Sequence, residues 1–175
     1  MKKTPQITLR AIEPEDLDSL YLIENDQDLW DVGITNVPYS RFALHEYLVN
    51  ASGDIYVDRQ VRLVICDEEG QTVGLVDLTN FNPRHNRAEV GIVIQKAYRD
   101  QGYGAAAIRQ LIVYARRILH LRQMYALVSV KNEKCVKIFE EVGFQRNAEL
   151  VDWLYDGEHY VNAIVMQCFL KNNCE

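Results

Sequence analysis

Two glycines one residue apart, Gly102 and Gly104, stand in the stretch RDQGYGAAAIRQLIVYARR, where an alternating apolar run gives way to a long amphipathic pattern. A helix N-terminus carries unpaired backbone N–H groups and a partial positive charge, so a strand-turn-helix junction stripped of side chains is a natural cradle for an anion. A β-carbon at either glycine would hold a phosphate away from those donors; a tight turn that merely uses glycine is the plainer alternative. The P-loop is excluded, because G-x-x-x-x-G-K-[ST] occurs nowhere in the chain. Residues 102 to 107 satisfy G-x-G-x-x-[GA], but a dinucleotide site expects the first strand of a parallel sheet and an acid about 20 residues further on. Here hairpins precede the motif and the next strand ends in Lys131-Asn132.

The elements that must position this junction follow from periodicity. QITLRA alternates like a short strand, and Glu13-Pro14 opens a helix, since proline fits the first helical position and acids favour the positive end of the dipole. Ser40 caps a second helix through about Val49. VRLVIC and TVGLVDLTN, joined by DEEGQ, read as a hairpin; NFNPRHNR is a polar loop; AEVGIVI is a further strand, whose interior Gly91 suggests a bulge or a close backbone approach. Residues 103 to 120 have helical three-and-four spacing, MYALVSV is a buried strand, and Asn132 caps a helix closed by Gly143. ELVDWLY and YVNAIVMQCFL form a closing hairpin. The result is a mixed α/β (α+β) fold of six to seven strands, mostly antiparallel, with about four helices and one parallel strand-helix-strand crossover at its centre. Length predicts one domain over residues 1–175.

Arg99-Asp100-Gln101-Gly102-Tyr103-Gly104 also matches [QR]-x-x-G-x-[GA] in full, and KNEKCVKIFEEVGF is similar to N-x-x-[AS]-x-x-x-[YF]-x-x-x-G-F. In these stretches and in its element order the chain resembles the GNAT superfamily of N-acetyltransferases. Within it, LRAIEPEDL, GLVDLTNFNPRHNRAE and YVNAIVM are most similar to the bacterial spermidine N-acetyltransferases, over about residues 7 to 166. Ribosomal-protein N-terminal acetyltransferases share the same opening and central segments.

The resemblance implies acetyl-CoA as co-substrate, with its pyrophosphate on the loop Arg99, Asp100, Gln101, Gly102, Tyr103, Gly104 and Ala105. It lays the pantetheine along Ile92, Val93 and Ile94, where a bulge near Gly91 would splay neighbouring strands, and brings Asn132 to the same arm. An attacking amine must be neutral, and a primary amine has a reference pKa near 10.4, so a base or burial has to remove its proton. Glu89 is the first candidate and Asp77 the second, an acid at the latter position helping spermidine enzymes to recognise the polyamine. Many family members carry a tyrosine that protonates the departing thiolate; here that place holds Phe139, which packs but donates nothing. Cys135 precedes it by one turn and reads as packing. The loop GITNVPYS lacks the glutamates that the spermidine enzymes carry there. The implied reaction is acetyl transfer to a primary amine of a small cationic acceptor, a polyamine first. Acetylation of a protein N-terminus or aminoacyl group, and a CoA-binding sensor without catalysis, are the alternatives.

Composition sets the outer bounds. A net charge of −6 argues against nucleic-acid binding, which needs a basic face. Glu13 to Asp31 holds eight acids and no Lys or Arg, either a solvated helix face or a field that attracts amines. No window has the length of a membrane span and MKKTPQITLR has no apolar segment behind its lysines, so a cytoplasmic protein without membrane partner is expected. The four cysteines lack metal-ligand spacing and are expected reduced, with no metal. His45, His85, His120 and His159 are scattered; Trp30 and Trp153 read as core or interface anchors, Trp30 beside the acidic run also as a cover for an alkyl amine. A homo-oligomer is expected from the resemblance.

Overall fold

The computed structural model describes residues 4–27 and 37–170. Trp30, Gly33, Asp28, Asp31 and Cys174, and with them the first half of the loop GITNVPYS, lie outside the described residues. The chain runs β1 (Thr8–Ala11), a 3-10 turn (Pro14–Asp16), α1 (Leu17–Glu24), α2 (Arg41–Asn50), a single-turn α3 (Ile55–Asp58), β2 (Val61–Cys66), β3 (Thr72–Asn82) and β4 (Arg87–Ile94). A second 3-10 turn (Lys96–Tyr98), α4 (Tyr103–Arg117), β5 (Gln123–Ser129), α5 (Glu133–Glu141), β6 (Gln145–Tyr155) and β7 (Tyr160–Phe169) complete it. The expected fold class is observed. Three elements differ from the sequence pattern: α3 has no counterpart in it, β3 takes in the first residues of the polar loop, and β6 begins four residues earlier than ELVDWLY.

One seven-stranded sheet in the order β1-β2-β3-β4-β5-β7-β6 carries the fold. Every neighbouring pair is antiparallel except β4 and β5, which α4 joins as a crossover. Alternation along the strands sorts side chains to two cores. Leu78, Ala88, Val90, Met124 and Ala126 meet Ile108 and Leu111 of α4 and Val136 and Phe139 of α5 on one face; Val64, Cys66 and Leu75 meet Leu20, Ile23, Leu44 and Leu48 of α1 and α2 on the other. Gly74 is the tightest point of the sheet: a β-carbon there would lie 2.2 Å from the carbonyl oxygen of Val93, so no larger residue fits against β4.

The entry to α1 is built as Glu13-Pro14 suggests, with Glu13 as cap and Pro14 opening the turn. Asp16, the one buried charged residue among those described, accepts the Glu13 N–H at 2.9 Å and both guanidinium nitrogens of Arg10 at 2.7 Å. The hydrogen bonds from Arg10 hold its carboxyl below the usual carboxylate range. A depressed carboxylate stabilises the fold above its unfolded value, near 3.9, and stops doing so as pH falls through the folded value. Asp16→Asn is therefore expected to lose roughly 2 kcal/mol at pH 7, with the gap to the wild type closing below about pH 4, as read by denaturant titrations across that range.

Candidate active site

The parallel ladder between β4 and β5 is three residue pairs long: Arg87 with Gln123, Ala88 with Met124, Glu89 with Tyr125. Beyond Glu89 the strands diverge, while β4 stays paired to β3 as far as Ile94 and β5 to β7 as far as Ser129. Val90 to Ile94 thus have a strand on one side only. The divergence does not come from a bulge at Gly91, as the sequence suggested. The β3–β4 register is regular there, with Gly91 opposite Asp77, and its irregularity lies between Thr79 and Asn82. The strands separate because each is held by its outer neighbour while the crossover through α4 tethers them at one end. Ile92 and Ile94 face the α4 side of this gap, and Val93 faces α1 and α2.

Where β4 ends, the chain turns into α4 through the glycine junction. Asp100 and Gly102 have φ of 61° and 91°, two left-handed residues either side of Gln101, a pattern that turns successive N–H groups toward one concavity. Gly102 is the N-cap of α4 and no side chain caps the helix. The amides of Gln101, Gly102, Tyr103, Gly104 and Ala105 find no acceptor among the described residues. At Gly102 both reasons for glycine hold, the positive φ and a Pro5 carbon that would lie 3.1 Å from a β-carbon. At Gly104 a β-carbon would only touch Ile138 and Ile94, at 3.6 Å and 3.9 Å, so its small size keeps the space between β4 and α5 open. Ala105 is buried behind the first turn.

The side chains of the loop hold it in place. Arg99 donates from Nε to the Ile94 carbonyl at 2.9 Å and pairs with Asp26 at 3.5 Å, tying the loop to the end of β4 and to the segment after α1. Its Nη2 is buried beside Asp26 without a hydrogen bond, so the guanidinium serves the loop's attachment rather than its outer surface. Gln101 bonds back to the Ala97 carbonyl, Tyr103 stacks edge-on with Tyr98, and Asp100 pairs with Lys134 of α5 at 2.9 Å. Across the gap, Asn132 accepts the Cys135 N–H through Oδ1 at 3.1 Å, which leaves its amide nitrogen without an acceptor among the described residues. Burial pushes the Cys135 thiol up to about 11, so it stays a neutral thiol at physiological pH. Phe139 is 2% exposed and stacks edge-on with Phe144 at 4.8 Å; it is a core side chain behind the gap rather than a constituent of its surface.

Both candidate acids lie on the α1/α2 face, in different company. Asp77 receives a two-pronged bond from Arg62, at 2.9 Å and 3.0 Å, and Arg62 also bonds Glu24 at 2.6 Å with its guanidinium 5.6 Å from the Tyr47 ring centre. Burial pulls the Arg62 guanidinium down, and Asp77 and Glu24 more than offset it, holding the group above its ordinary value. Glu89, at the last shared rung of β4 and β5, accepts a hydrogen bond from Asn80 at 2.8 Å. Sequence reasoning misses Arg62, Tyr47 and Asn80, and meets Glu24 only as one of the acids between Glu13 and Asp31. Arg62 does leave a signal, since alternation in VRLVIC puts it on the buried face with Val64 and Cys66, where a cation needs an acid opposite.

A concavity of about 700 Å³ is elsewhere. It lies between β1, β2 and the outer side of α4, lined by Leu9, Leu63, Val113, Tyr114 and Ile118, and contains neither the loop nor β4. Arg10, Arg109, Gln110 and Arg117 also line it, but Arg10, Arg109 and Gln110 bond to Asp16, Glu141 and the Ile7 carbonyl, so the amides at the start of α4 mark the candidate site instead. Arg62→Met would leave Glu24 and Asp77 facing each other without their cation. The expected cost is roughly 3 kcal/mol, some of which returns in the Arg62→Met, Asp77→Asn double variant when unfolding free energies are compared.

A family model for the acetyltransferase (GNAT) domain matches residues 6–145. The spermidine N(1)-acetyltransferase of Vibrio cholerae is 31% identical over 155 residues, 89% of this chain and 88% of that protein. The putative ribosomal N-acetyltransferase YdaF of Bacillus subtilis is 30% identical, covering 99% and 96% of the two chains. Among solved structures, the Vibrio cholerae spermidine N-acetyltransferase in complex with CoA and spermine superposes with a TM-score of 0.84 at 29% identity, over 94% of this chain and 96% of that one. A dodecameric structure of spermidine N-acetyltransferase from the same organism gives 0.80 at 30%, over 97% and 99%. The family match runs from the residues before β1 through α5 and takes in the diverging strands and the glycine loop; this chain belongs to the GNAT family of N-acetyltransferases.

Proposed function

We propose that the protein transfers an acetyl group from acetyl-CoA to a primary amine of a small cationic acceptor, with a polyamine as the first candidate. One observation carries the reading: the amides at the mouth of α4, without acceptors among the described residues, adjoin the gap where β4 has no strand beside it past Glu89. Those amides suit a diphosphate. The exposed side of β4 at Ile92, Val93 and Ile94 suits an extended arm, and the Asn132 amide nitrogen is placed to bond it. The co-substrate supplies an acetyl group activated as a thioester.

The chain's residues do the rest. Glu89 stands at the head of the gap and takes the proton of the attacking amine, directly or through water. Asp77 is less suited to that task, because Arg62 occupies both its oxygens. With Glu24 it forms a cluster of two carboxylates and one guanidinium, a net negative surface that draws a second ammonium of the acceptor. With Phe139 in the core, α5 offers no hydroxyl to the departing sulfur, whose ordinary pKa near 8.5 makes it a tolerable leaving group. The relatives named for spermidine support a polyamine acceptor; the Bacillus subtilis relative favours a peptide or protein amine as the second reading. A cytoplasmic location and a homo-oligomer belong to the same proposal. The exposed Val151, Trp153, Tyr155 and Tyr160 on the β6–β7 hairpin offer an apolar surface for the latter.

Thermal shift with acetyl-CoA, followed by thiol release with spermidine, spermine, aminoglycosides and short peptides, tests this reading. Stabilisation by acetyl-CoA and turnover fastest with a polyamine are expected; turnover only with peptides selects the second reading, and binding without thiol release from any amine marks a sensor. Gly104→Val is expected to keep the wild-type fold and lose acetyl-CoA stabilisation; unchanged affinity refutes the cradle. Glu89→Gln is expected to lower kcat by about 10² or more while Asp77→Asn raises KM for the amine, as steady-state kinetics will show.

A further inference from the structure

β3 breaks its alternation near its C-terminal end. Asp77 and Thr79 face α1 and α2, whereas Val76 and Leu78 face the α4 core, so a regular strand would turn Asn80 into that core with Leu78. Instead the β3–β4 register slips between Thr79 and Asn82, and Asn80 takes a left-handed backbone with φ of 51°. That conformation costs a non-glycine residue roughly 1 kcal/mol, less for asparagine than for most. Its effect is to swing the amide to the opposite face, where Nδ2 meets Glu89 Oε2 at 2.8 Å.

The third participant comes from β5. Tyr125 lies between the core residues Met124 and Ala126, so its ring points to the same face as Glu89, with which it is in register. Burial raises the Tyr125 phenol above its ordinary value, and the charge of Glu89 and a hydrogen bond to it raise it further. An ionised carboxylate only accepts hydrogen bonds; Asn80 on β3 donates one to it, and the Tyr125 phenol on β5 stands on the same face in the last rung before the strands diverge.

We infer that Asn80 and Tyr125 are positioning residues that fix the Glu89 carboxylate at the head of the β4–β5 gap, an inference that rests on Glu89 acting as the base. The register slip in β3 is then a device that brings the amide to the correct face. Both residues lie at the closed end of the gap, away from the loop at the start of α4, so their loss should spare acetyl-donor binding and show in the rate.

The test uses Asn80→Gly, which keeps the left-handed backbone and removes only the amide, and Tyr125→Phe, which removes only the hydroxyl. Both are expected to retain the melting temperature and the acetyl-CoA shift of the wild type and to lower kcat at least about tenfold with KM for acetyl-CoA unchanged. In a Glu89→Gln background neither should cost anything more. If Asn80→Gly and Tyr125→Phe turn over at the wild-type rate while Glu89→Gln is impaired, the positioning claim falls and the base assignment stands; a fully active Glu89→Gln overturns both. A readout independent of turnover is the ionisation of Tyr125, followed by NMR with ring-labelled tyrosine and assigned through Tyr125→Phe. Its midpoint should fall in Glu89→Gln, and a midpoint that does not move overturns the contact.

Discussion

The structure depends on a parallel ladder that stops after three pairs. β4 and β5 are neighbours in the sheet, yet beyond Glu89 and Tyr125 each answers to its other partner, β4 to β3 and β5 to β7. A sheet interior normally leaves no backbone donors to spare. Here one side of β4 is left without a strand in the middle of the fold, and burial on both faces keeps that edge from closing or fraying. The helix that joins the two strands begins at the open end of the same gap. One topological choice therefore supplies both an extended backbone edge and a set of helix-terminal amides, and the glycines keep the approach to them clear.

The two faces of the sheet divide the labour. The α4/α5 face carries the larger apolar core, in which Phe139 and Phe144 pack edge-on. Charge collects on the α1/α2 face, where Arg62 joins Glu24 to Asp77 and where Asn80, Glu89 and Tyr125 meet. Arg62, Glu24 and Asp77 are mostly buried and tolerated because each has a partner, whereas the Asn80–Glu89 bond lies at the surface. Such networks also hold their members in a single geometry, which a reacting centre needs.

Much of this is legible in the sequence, for identifiable reasons. Period-two and period-3.6 patterns, the Ser40 and Asn132 caps and the Gly143 stop act locally, so the strand and helix order can be read with small errors in length. The glycine loop is legible because its chemistry is backbone chemistry and the residue type reports it directly. Gly91 misleads: a strand glycine signals a bulge only on average, and here the divergence depends on the pairing of β5 with β7, more than 30 residues away, to which no local signal points. The partners of the two acids are hidden for a related reason. Asn80 reaches Glu89 only because the backbone turns over at that residue, which a pattern of alternation predicts the wrong way.

The exposed bridge between Asp100 and Lys134 has a consequence for how the mouth of α4 meets a guest. Both side chains stand largely in water, so their attraction is weak and readily exchanged. A doubly charged visitor at the amides would sit beside the same ammonium and compete with Asp100 for it. The lysine is thus a loosely held counterion kept on site, able to swap an internal carboxylate for an arriving anion without any rearrangement of the backbone.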